Sequence, residues 1–328
     1  MEDNVLKEIK IGLLGLGNIG TGTYKVLEMN RKQIEGSVGT AVNIVKILEK
    51  DIDRERDIDV PREKFVSKAE DIFDDPEIDI VIELLGGVEP AATLIEQALR
   101  SGKHVVTANK AAVAANYHRL MDAAKAGEAQ FRFEASVGGG IPVLTALSGC
   151  LRSNQFNRVL GIVNGTTNYI LDKMTSEGLP YDEVLKDAQA KGFAEADPTA
   201  DVEGIDAANK LSILMALMFD TYVHPKDIPT KGITEVTAAD IKDARSKNQL
   251  IKLIAYAEKM DDGSIKYEVR PMRIIDTHPL SGVHREYNAV FVEGNAVGNL
   301  MFYGPGAGPL PTGSAVIGDV MEIARTLV

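Results

Sequence analysis

Residues 8–29 of this chain read EIKIGLLGLGNIGTGTYKVLEM. The apolar run IKIGLL predicts a strand that stops at Gly15. Gly15, Gly17 and Gly20 then give G-x-G-x-x-G, and a helical segment follows. The three glycines serve different physical needs, namely a tight turn, close approach of the backbone to a pyrophosphate, and close packing of helix on strand. The free N–H groups and positive dipole end of the helix complete a phosphate site. Set directly between a strand and a helix, the motif predicts a dinucleotide-binding unit rather than a mere structural turn.

After this unit, Ala41–Leu48 (AVNIVKIL) predicts the second strand, with Arg31–Thr40 read as an inserted loop. An acid after this strand would bond the ribose of NAD, and a basic residue would accept the extra phosphate of NADP. Glu49, Lys50 and Asp51 supply both kinds, so this segment leaves the two cofactors open; a solvated charged loop explains it equally well. Ile78–Leu84 (IDIVIEL) is almost wholly apolar, as a parallel strand covered on both faces should be. Gly86 and Gly87 follow at its carboxyl end, where such sheets bind ligands. Pro90 opens a helix to Ser101. The segment KHVVTANKAAVA then predicts a short strand and a helix from about Asn109, which sets Lys110 beside the cofactor crevice. Gln130–Ala135 alternates and reads as the sixth strand. The run SVGGGIP, with Gly138, Gly139 and Gly140, marks a crossover between domains.

The second half has a different rhythm. A strand at Arg158–Asn164 leads into a helix with a polar cap at Gly165-Thr166-Thr167. A helix over Tyr181–Ala190 and another over Ala238–Ser246 follow. Strands are expected at Ile251–Glu258, Ile265–Arg273, Ala289–Glu293 and Leu300–Tyr303. The pattern predicts an α+β domain with a mostly antiparallel sheet, which commonly pairs with a second copy. The fold expected is therefore α/β: a Rossmann-type doubly wound parallel sheet over 1–137, a substrate-binding and dimerisation domain over 138–308, and a helix over 309–328 returning to the first domain.

Between these helices lies KGFAEADPTADVEGIDAANKL, residues 191–211. Glu195 and Asp197 sit in a turn, Pro198 breaks the chain, and a helix restarting at Asp201 is expected to carry Glu203, Asp206 and Lys210 on one face. Asp206 and Lys210 are four apart. An acid beside a lysine holds it charged and oriented, and lysine stabilises or protonates a developing alkoxide. Most such pairs are surface decoration. A dinucleotide domain upstream and a second lysine at Lys110 favour hydride transfer to a carbonyl, with the two lysines converging on one substrate.

Composition bounds the alternatives. The chain has 328 residues, a formal net charge of −12 and one cysteine. The charge argues against binding to a nucleic-acid backbone. No apolar run reaches membrane-spanning length, and MEDNVLKEIK lacks a signal-peptide layout, so a cytoplasmic protein is expected. Cys150 alone excludes an internal disulfide and a multi-cysteine metal site. A phosphorylating semialdehyde dehydrogenase would need a thiolate, yet Cys150 lies in the apolar segment LSGCL, which suggests a buried inert thiol. A dinucleotide-sensing binding protein would explain Gly15–Gly20 but not Glu195, Asp206 and Lys210 together.

The segments GLGNIG, HVVTANKAAV, EASVGGGIPV, GIVNGTTNYIL and GFAEADPTADVEGIDAANKL, in this order, resemble homoserine dehydrogenases. That resemblance implies reversible, NAD- or NADP-dependent reduction of aspartate 4-semialdehyde to homoserine, on the branch to threonine, methionine and isoleucine. It implies Lys210 and Asp206 as the catalytic pair and Lys110 at the reacting carbonyl, as proton donor or alkoxide stabiliser. Glu195 would hold the substrate ammonium, with Asp201 lining the same pocket. The cofactor would lie on the turn Gly15, Leu16, Gly17, Asn18, Ile19 and Gly20, and on Lys110, with Lys50 and Gly86 nearby and Gly306 and Gly308 toward the nicotinamide. The resemblance also implies a monovalent cation, sodium, on main-chain carbonyls around Glu134, Val137, Gly139 and Ile141. A homodimer is expected. Many bacterial members continue into an ACT-type regulatory domain, and the chain is read as the catalytic core without it.

Overall fold

The computed structural model describes residues 8–328, and Met1–Lys7, the start of the segment read as lacking a signal layout, lies outside them. The chain divides into two compact units, residues 1–140 with 308–328, and residues 141–307.

The first unit opens with β1 (Ile9–Leu14) and α1 (Asn18–Met29), as the glycine motif requires. The segment expected as a loop is instead α2 (Arg31–Val38). Ile34 and Val38 are buried beneath it, Arg31 reaches Glu35 one turn on at 3.1 Å, and Gly39 ends it in the left-handed region. Then come β2 (Val42–Leu48), β3 (Phe65–Val66), α3 (Glu70–Phe73), β4 (Ile80–Glu83), α4 (Ala91–Arg100), β5 (His104–Thr107), α5 (Lys110–Ala115), α6 (Tyr117–Ala126) and β6 (Phe131–Arg132). The sixth strand is only two residues long. A 3-10 turn over Glu134–Ser136 replaces its expected end, and the Glu134 amide bonds the Asp319 carboxylate at 2.8 Å instead of a strand.

These six strands are parallel, in the order β3-β2-β1-β4-β5-β6. The chain starts at β1 in the middle and winds outward both ways, so the crossovers part company between β1 and β4. Ligands bind at that place in such sheets, beyond the carboxyl ends of the strands.

The second unit contains α7 (Leu144–Ser148), β7 (Phe156–Ile162), α8 (Gly165–Glu177), α9 (Tyr181–Ala190), α10 (Thr199–Val202), α11 (Ile205–Met218), α12 (Ala238–Ser246), β8 (Gln249–Lys259), β9 (Ile265–Ile275), β10 (Tyr287–Gly294) and β11 (Gly298–Pro305). Its sheet is fully antiparallel, in the order β11-β10-β7-β8-β9. One face packs Leu160, Ile162, Ile254, Ala289 and Phe291 into a cluster.

Residues 191–211 depart from expectation in one respect. Gly204, at φ +82°, stops the helix and caps a new one, so α10 and α11 are separate. Glu203 therefore falls outside the helix of Asp206 and Lys210, is exposed, and accepts a hydrogen bond from Thr234. Asp197 accepts from the Thr199 amide and hydroxyl and closes the turn before α10. Cys150 also differs. Gly149 ends α7 after five residues, which leaves Cys150 in the following turn and exposed rather than buried.

The chain then returns to the first unit as α13 (Pro309–Ala324). Val316, Ile317, Val320, Ile323 and Ala324 join the core cluster that holds Ile9, Ile11 and Leu13 of β1 and Leu27 of α1. A Cβ on Gly22 would stand 2.2 Å from the Pro309 carbonyl oxygen, so the two helices approach at glycine distance.

Candidate active site

In the first unit the glycine turn forms a cradle. Gly15 has φ +95°, and a Cβ there would stand 2.9 Å from the Leu84 carbonyl oxygen. A Cβ on Gly20 would be 2.2 Å from the Gly15 carbonyl oxygen, so only glycine lets the helix start this close to the turn. Gly17 is the N-cap of α1, has no side-chain cap, and has nothing within 4 Å of its own missing Cβ. The start of α1, at Gly17, Asn18 and Ile19, thus has its dipole unmasked by a side-chain cap. That arrangement fits a pyrophosphate.

Beyond β2, Glu49 turns inward. Its Oε2 accepts from the Leu16 amide at 2.8 Å and its Oε1 from the Asp51 amide at 3.0 Å, with Arg56 at 3.5 Å. Burial opposes its ionisation, but those amides, that of Lys50 and the Arg56 charge outweigh it and hold the carboxyl below its usual range. Lys50 is exposed. Arg54 donates to Asn18 Oδ1 at 3.3 Å and borders a cleft of about 530 Å³ lined by Asn18, Thr21, Gly22, Lys25 and Pro309 among others.

Lys110 is the first residue of α5, half-buried at the carboxyl end of β5. Asn109 caps this helix, its Oδ1 accepting from the Ala112 amide at 3.1 Å and its Nδ2 donating to the Gly87 carbonyl at 2.8 Å. Gly86 is exposed on the loop after β4. Gly308 is the N-cap of α13, while Gly306 belongs to the second unit, where its missing Cβ would stand 2.0 Å from Asn288 Nδ2. Glu134 and Val137 are buried, and Gly139 is left-handed at φ +57°. Ile141 is the first residue of the second unit. Burial pushes Asp319, whose carboxylate holds the Glu134 amide, up to about 7. Among the described residues no group of three His, Cys, Asp or Glu is placed to hold a metal ion.

In the second unit the loop leaving β7 meets the start of α11. Lys210 Nζ donates to Asp206 Oδ2 at 2.6 Å and to the Val163 carbonyl at 2.6 Å, and both side chains are buried. Burial without partners would be prohibitive for either charge; paired and hydrogen-bonded, the two are tolerated and fixed in one geometry. This is therefore not surface decoration.

Asn164 links the acids. Its Nδ2 donates to Asp201 Oδ1 at 2.7 Å and to Asp206 Oδ2 at 2.9 Å. Its Oδ1 caps α8, accepting from the Thr167 amide at 2.8 Å. Thr166 Oγ1 shares its hydrogen bonding between Asp201 Oδ2 and the Phe193 carbonyl. Asp201 thus belongs to the same cluster as Asp206 and Lys210. Glu195 lies two residues beyond Phe193 with its side chain exposed, while its carbonyl accepts from Gln189. Read from the sequence alone, the start of α8 is a polar cap, and Asn164 and Thr166 have no part in the site. The capping function is local and legible. The reach of the Asn164 amide to acids 37 and 42 residues away is not.

The model of the homoserine dehydrogenase family matches residues 142–321, and that of the homoserine dehydrogenase NAD-binding domain matches residues 15–134. Homoserine dehydrogenase from Bacillus subtilis is 46% identical over 98% of the chain and 74% of its own length. The crystal structure of the Thiobacillus denitrificans homoserine dehydrogenase has a TM-score of 0.93 at 41% identity, over 98% of this chain and 74% of that one. A hyperthermophilic archaeal homoserine dehydrogenase, solved in complex with NADPH, has a TM-score of 0.80 at 26% identity, over 97% and 98%.

Proposed function

Since the chain belongs to the homoserine dehydrogenase family, we propose that Lys210 and Asp206 form its catalytic pair and that Lys110 serves the reacting carbonyl from the first unit. The reaction is the reversible, NAD(P)-dependent oxidation of L-homoserine to L-aspartate 4-semialdehyde, in threonine, methionine and isoleucine biosynthesis. When bound, the nicotinamide cofactor supplies the hydride or takes it up. The turn from Gly15 to Gly20 and the start of α1 would hold its pyrophosphate, and Lys50, Gly86, Lys110, Gly306 and Gly308 are assigned to it by the family resemblance.

In the reducing direction the substrate carbonyl gains negative charge at oxygen. Lys210, fixed by Asp206 and the Val163 carbonyl, and Lys110 divide two tasks at that oxygen: one lysine delivers the proton and the other stabilises the charge while it develops. In the oxidising direction the proton-delivering lysine takes the hydroxyl proton. Glu195 accepts the substrate ammonium, and Asp201, held by Asn164 and Thr166, adds negative charge to the same pocket. The observation that carries this reading is the buried Lys210–Asp206 ion pair with its second bond to Val163.

Three further features belong to the proposal. A monovalent cation, sodium, would be held by main-chain carbonyls around Glu134, Val137, Gly139 and Ile141, hard oxygen donors of the kind such ions take. A homodimer forms through the antiparallel sheet, where Ile275, Met301 and Tyr303 are exposed. The enzyme works in the cytoplasm; no helix among the described residues is long and apolar enough to cross a membrane.

The test is homoserine-dependent NADPH and NADH formation by wild type and Lys210→Ala. A loss of about a thousandfold in kcat, with cofactor affinity retained, is expected. Near-wild-type turnover in the variant would remove Lys210 from the mechanism.

A further inference from the structure

Glu83 is a buried acid of the first unit that the mechanism above does not use. Glu83 ends β4 after Ile80, Val81 and Ile82, and it is 0% exposed. Four donors converge on its carboxylate. Thr107 Oγ1 donates to Oε2 at 2.7 Å, Leu85 N to Oε1 at 2.7 Å and Asn109 Nδ2 to Oε1 at 3.5 Å. The Gly86 amide donates as well. Burial pushes the Glu83 carboxyl up, and these donors work against that rise.

A valine or isoleucine would continue the pattern of β4 at no electrostatic cost, whereas a buried carboxylate is costly even when its oxygens are bonded. What the acid orders is specific. Its donors come from the loop after β4 and from the end of β5 with the loop that follows it, at the carboxyl ends of adjacent parallel strands. Leu14, the last residue of β1, pairs with Glu83 itself, so the acid lies at the point where the sheet's winding diverges.

Each loop passes the restraint on. The successive amides of Leu85 and Gly86 both point at the carboxylate, as in a turn that attracts an anion, and Gly86 and Gly87 take the left-handed conformation that follows. Here those amides are taken by the chain's own carboxylate, so it shapes the loop. On the other side Thr107 Oγ1 accepts from the Asn109 amide at 2.9 Å, and Asn109 bonds both the Gly87 carbonyl and the first turn of α5. Lys110 is the next residue along.

We propose that Glu83 is a positioning residue for hydride transfer: its buried carboxylate locks the loop 84–87 and the start of α5 into one rigid piece, so that Gly86 and Lys110 meet cofactor and substrate in fixed places. This rests on the roles given above to Gly86 and Lys110. Glu83 acts through Thr107 and Asn109.

The test compares the full chain with Glu83→Gln, which keeps the shape and removes the charge, and with Thr107→Val, which keeps the charge and removes one donor. In Glu83→Gln, amide hydrogen exchange at residues 84–87 of the cofactor-free protein should quicken at least tenfold. The Kd for NADPH, read by fluorescence titration, should weaken at least tenfold. The value of kcat should fall at least tenfold while KM for homoserine moves less than threefold and the melting temperature holds or rises. Thr107→Val should shift exchange and Kd in the same direction by a smaller factor. Wild-type exchange and Kd in Glu83→Gln overturn the proposal. A parallel loss of melting temperature and activity with an unchanged Kd also overturns it, because it makes Glu83 a residue of the fold alone. Should Glu83→Gln fail to fold, wild-type exchange and Kd in Thr107→Val overturn it. Lys110→Ala is run alongside: wild-type turnover there refutes the role of Lys110, whereas the exchange at 84–87 reports on Glu83 separately.

Discussion

The side-chain amide of Asn164 donates to Asp206 Oδ2 at 2.9 Å. The same nitrogen bonds Asp201 at 2.7 Å, so one neutral group holds two carboxylates close together and orients the partner of Lys210. Asn164→Ala removes both bonds. The expected result is a fall in kcat/KM for homoserine of tenfold to a hundredfold, since a hydrogen bond to a charged group contributes about 1.5–3 kcal/mol. Asn164→Asp should be worse, because it adds a third carboxylate while removing the shared donor. If Asn164→Asp were the more active of the two, the bridging role would be wrong.

Arg54 should set cofactor preference. Both oxygens of Glu49, the acid after β2, are engaged by amides of Leu16 and Asp51, whereas Arg54 faces the cleft beside Asn18. An arginine in this place receives the extra phosphate of NADP. Arg54→Ala is expected to weaken NADPH binding about tenfold or more and NADH binding less than twofold. Equal losses for the two cofactors, measured by titration, would contradict this.

Lys252 predicts a pH signature. It is 1% exposed on β8, and its Nζ donates to the Val283 carbonyl at 2.7 Å and Asn168 Oδ1 at 2.9 Å. Burial lowers its pKa to about 8 from an ordinary 10.5, with Asp172 partly opposing. The folded chain therefore releases this proton first. Between pH 8 and 10.5 the unfolded chain binds more protons, so the contribution of Lys252 to stability rises with pH in that window and is flat below it. Relative to Lys252→Met, the wild type should gain roughly 3 kcal/mol across the window. Urea titrations of both proteins measure it, and parallel pH curves would exclude it.

Two glycine-to-alanine changes should have opposite signs. In Gly22→Ala the new methyl would lie 2.2 Å from the Pro309 carbonyl oxygen, which forces α1 and α13 apart. A loss of about 1–3 kcal/mol is expected, the usual effect of overpacking. Gly36 lies in α2 with nothing within 4 Å of its missing Cβ. Gly36→Ala should gain up to about 1 kcal/mol from helix propensity. Thermal melts of the two variants decide the matter, and a stabilised Gly22→Ala would refute the close approach.

The parts of the fold visible in the sequence are those with a local cause. Gly15, Gly17 and Gly20 announce a strand–turn–helix because their constraints are steric and fall within six residues. Ile80–Ile82 announce a strand covered on both faces. The helix of residues 31–38 was hidden, because it has only Ile34 and Val38 to bury and no capping side chain. The break at Gly204 was hidden for the opposite reason: acids and a lysine at helical spacing run straight through it. In the site, the Lys210–Asp206 spacing was legible, but its burial was not. Burial depends on Val163 and Asn164, which arrive from another part of the chain. Glu83 carried no signal at all, since a single acid at the end of an apolar run looks like any strand terminus meeting solvent.

The return of α13 to the first unit has a consequence for how the protein is made. Residues 141–307 are contiguous and can fold as they leave the ribosome. The first unit emerges earlier, yet the apolar face formed by β1 and α1 lacks Val316, Ile317, Val320 and Ile323 until residues 308–328 have been translated. At ordinary elongation rates the wait is on the order of ten seconds. During biosynthesis the apolar face of the nascent first unit is therefore covered last, and the order of completion runs opposite to the order of translation.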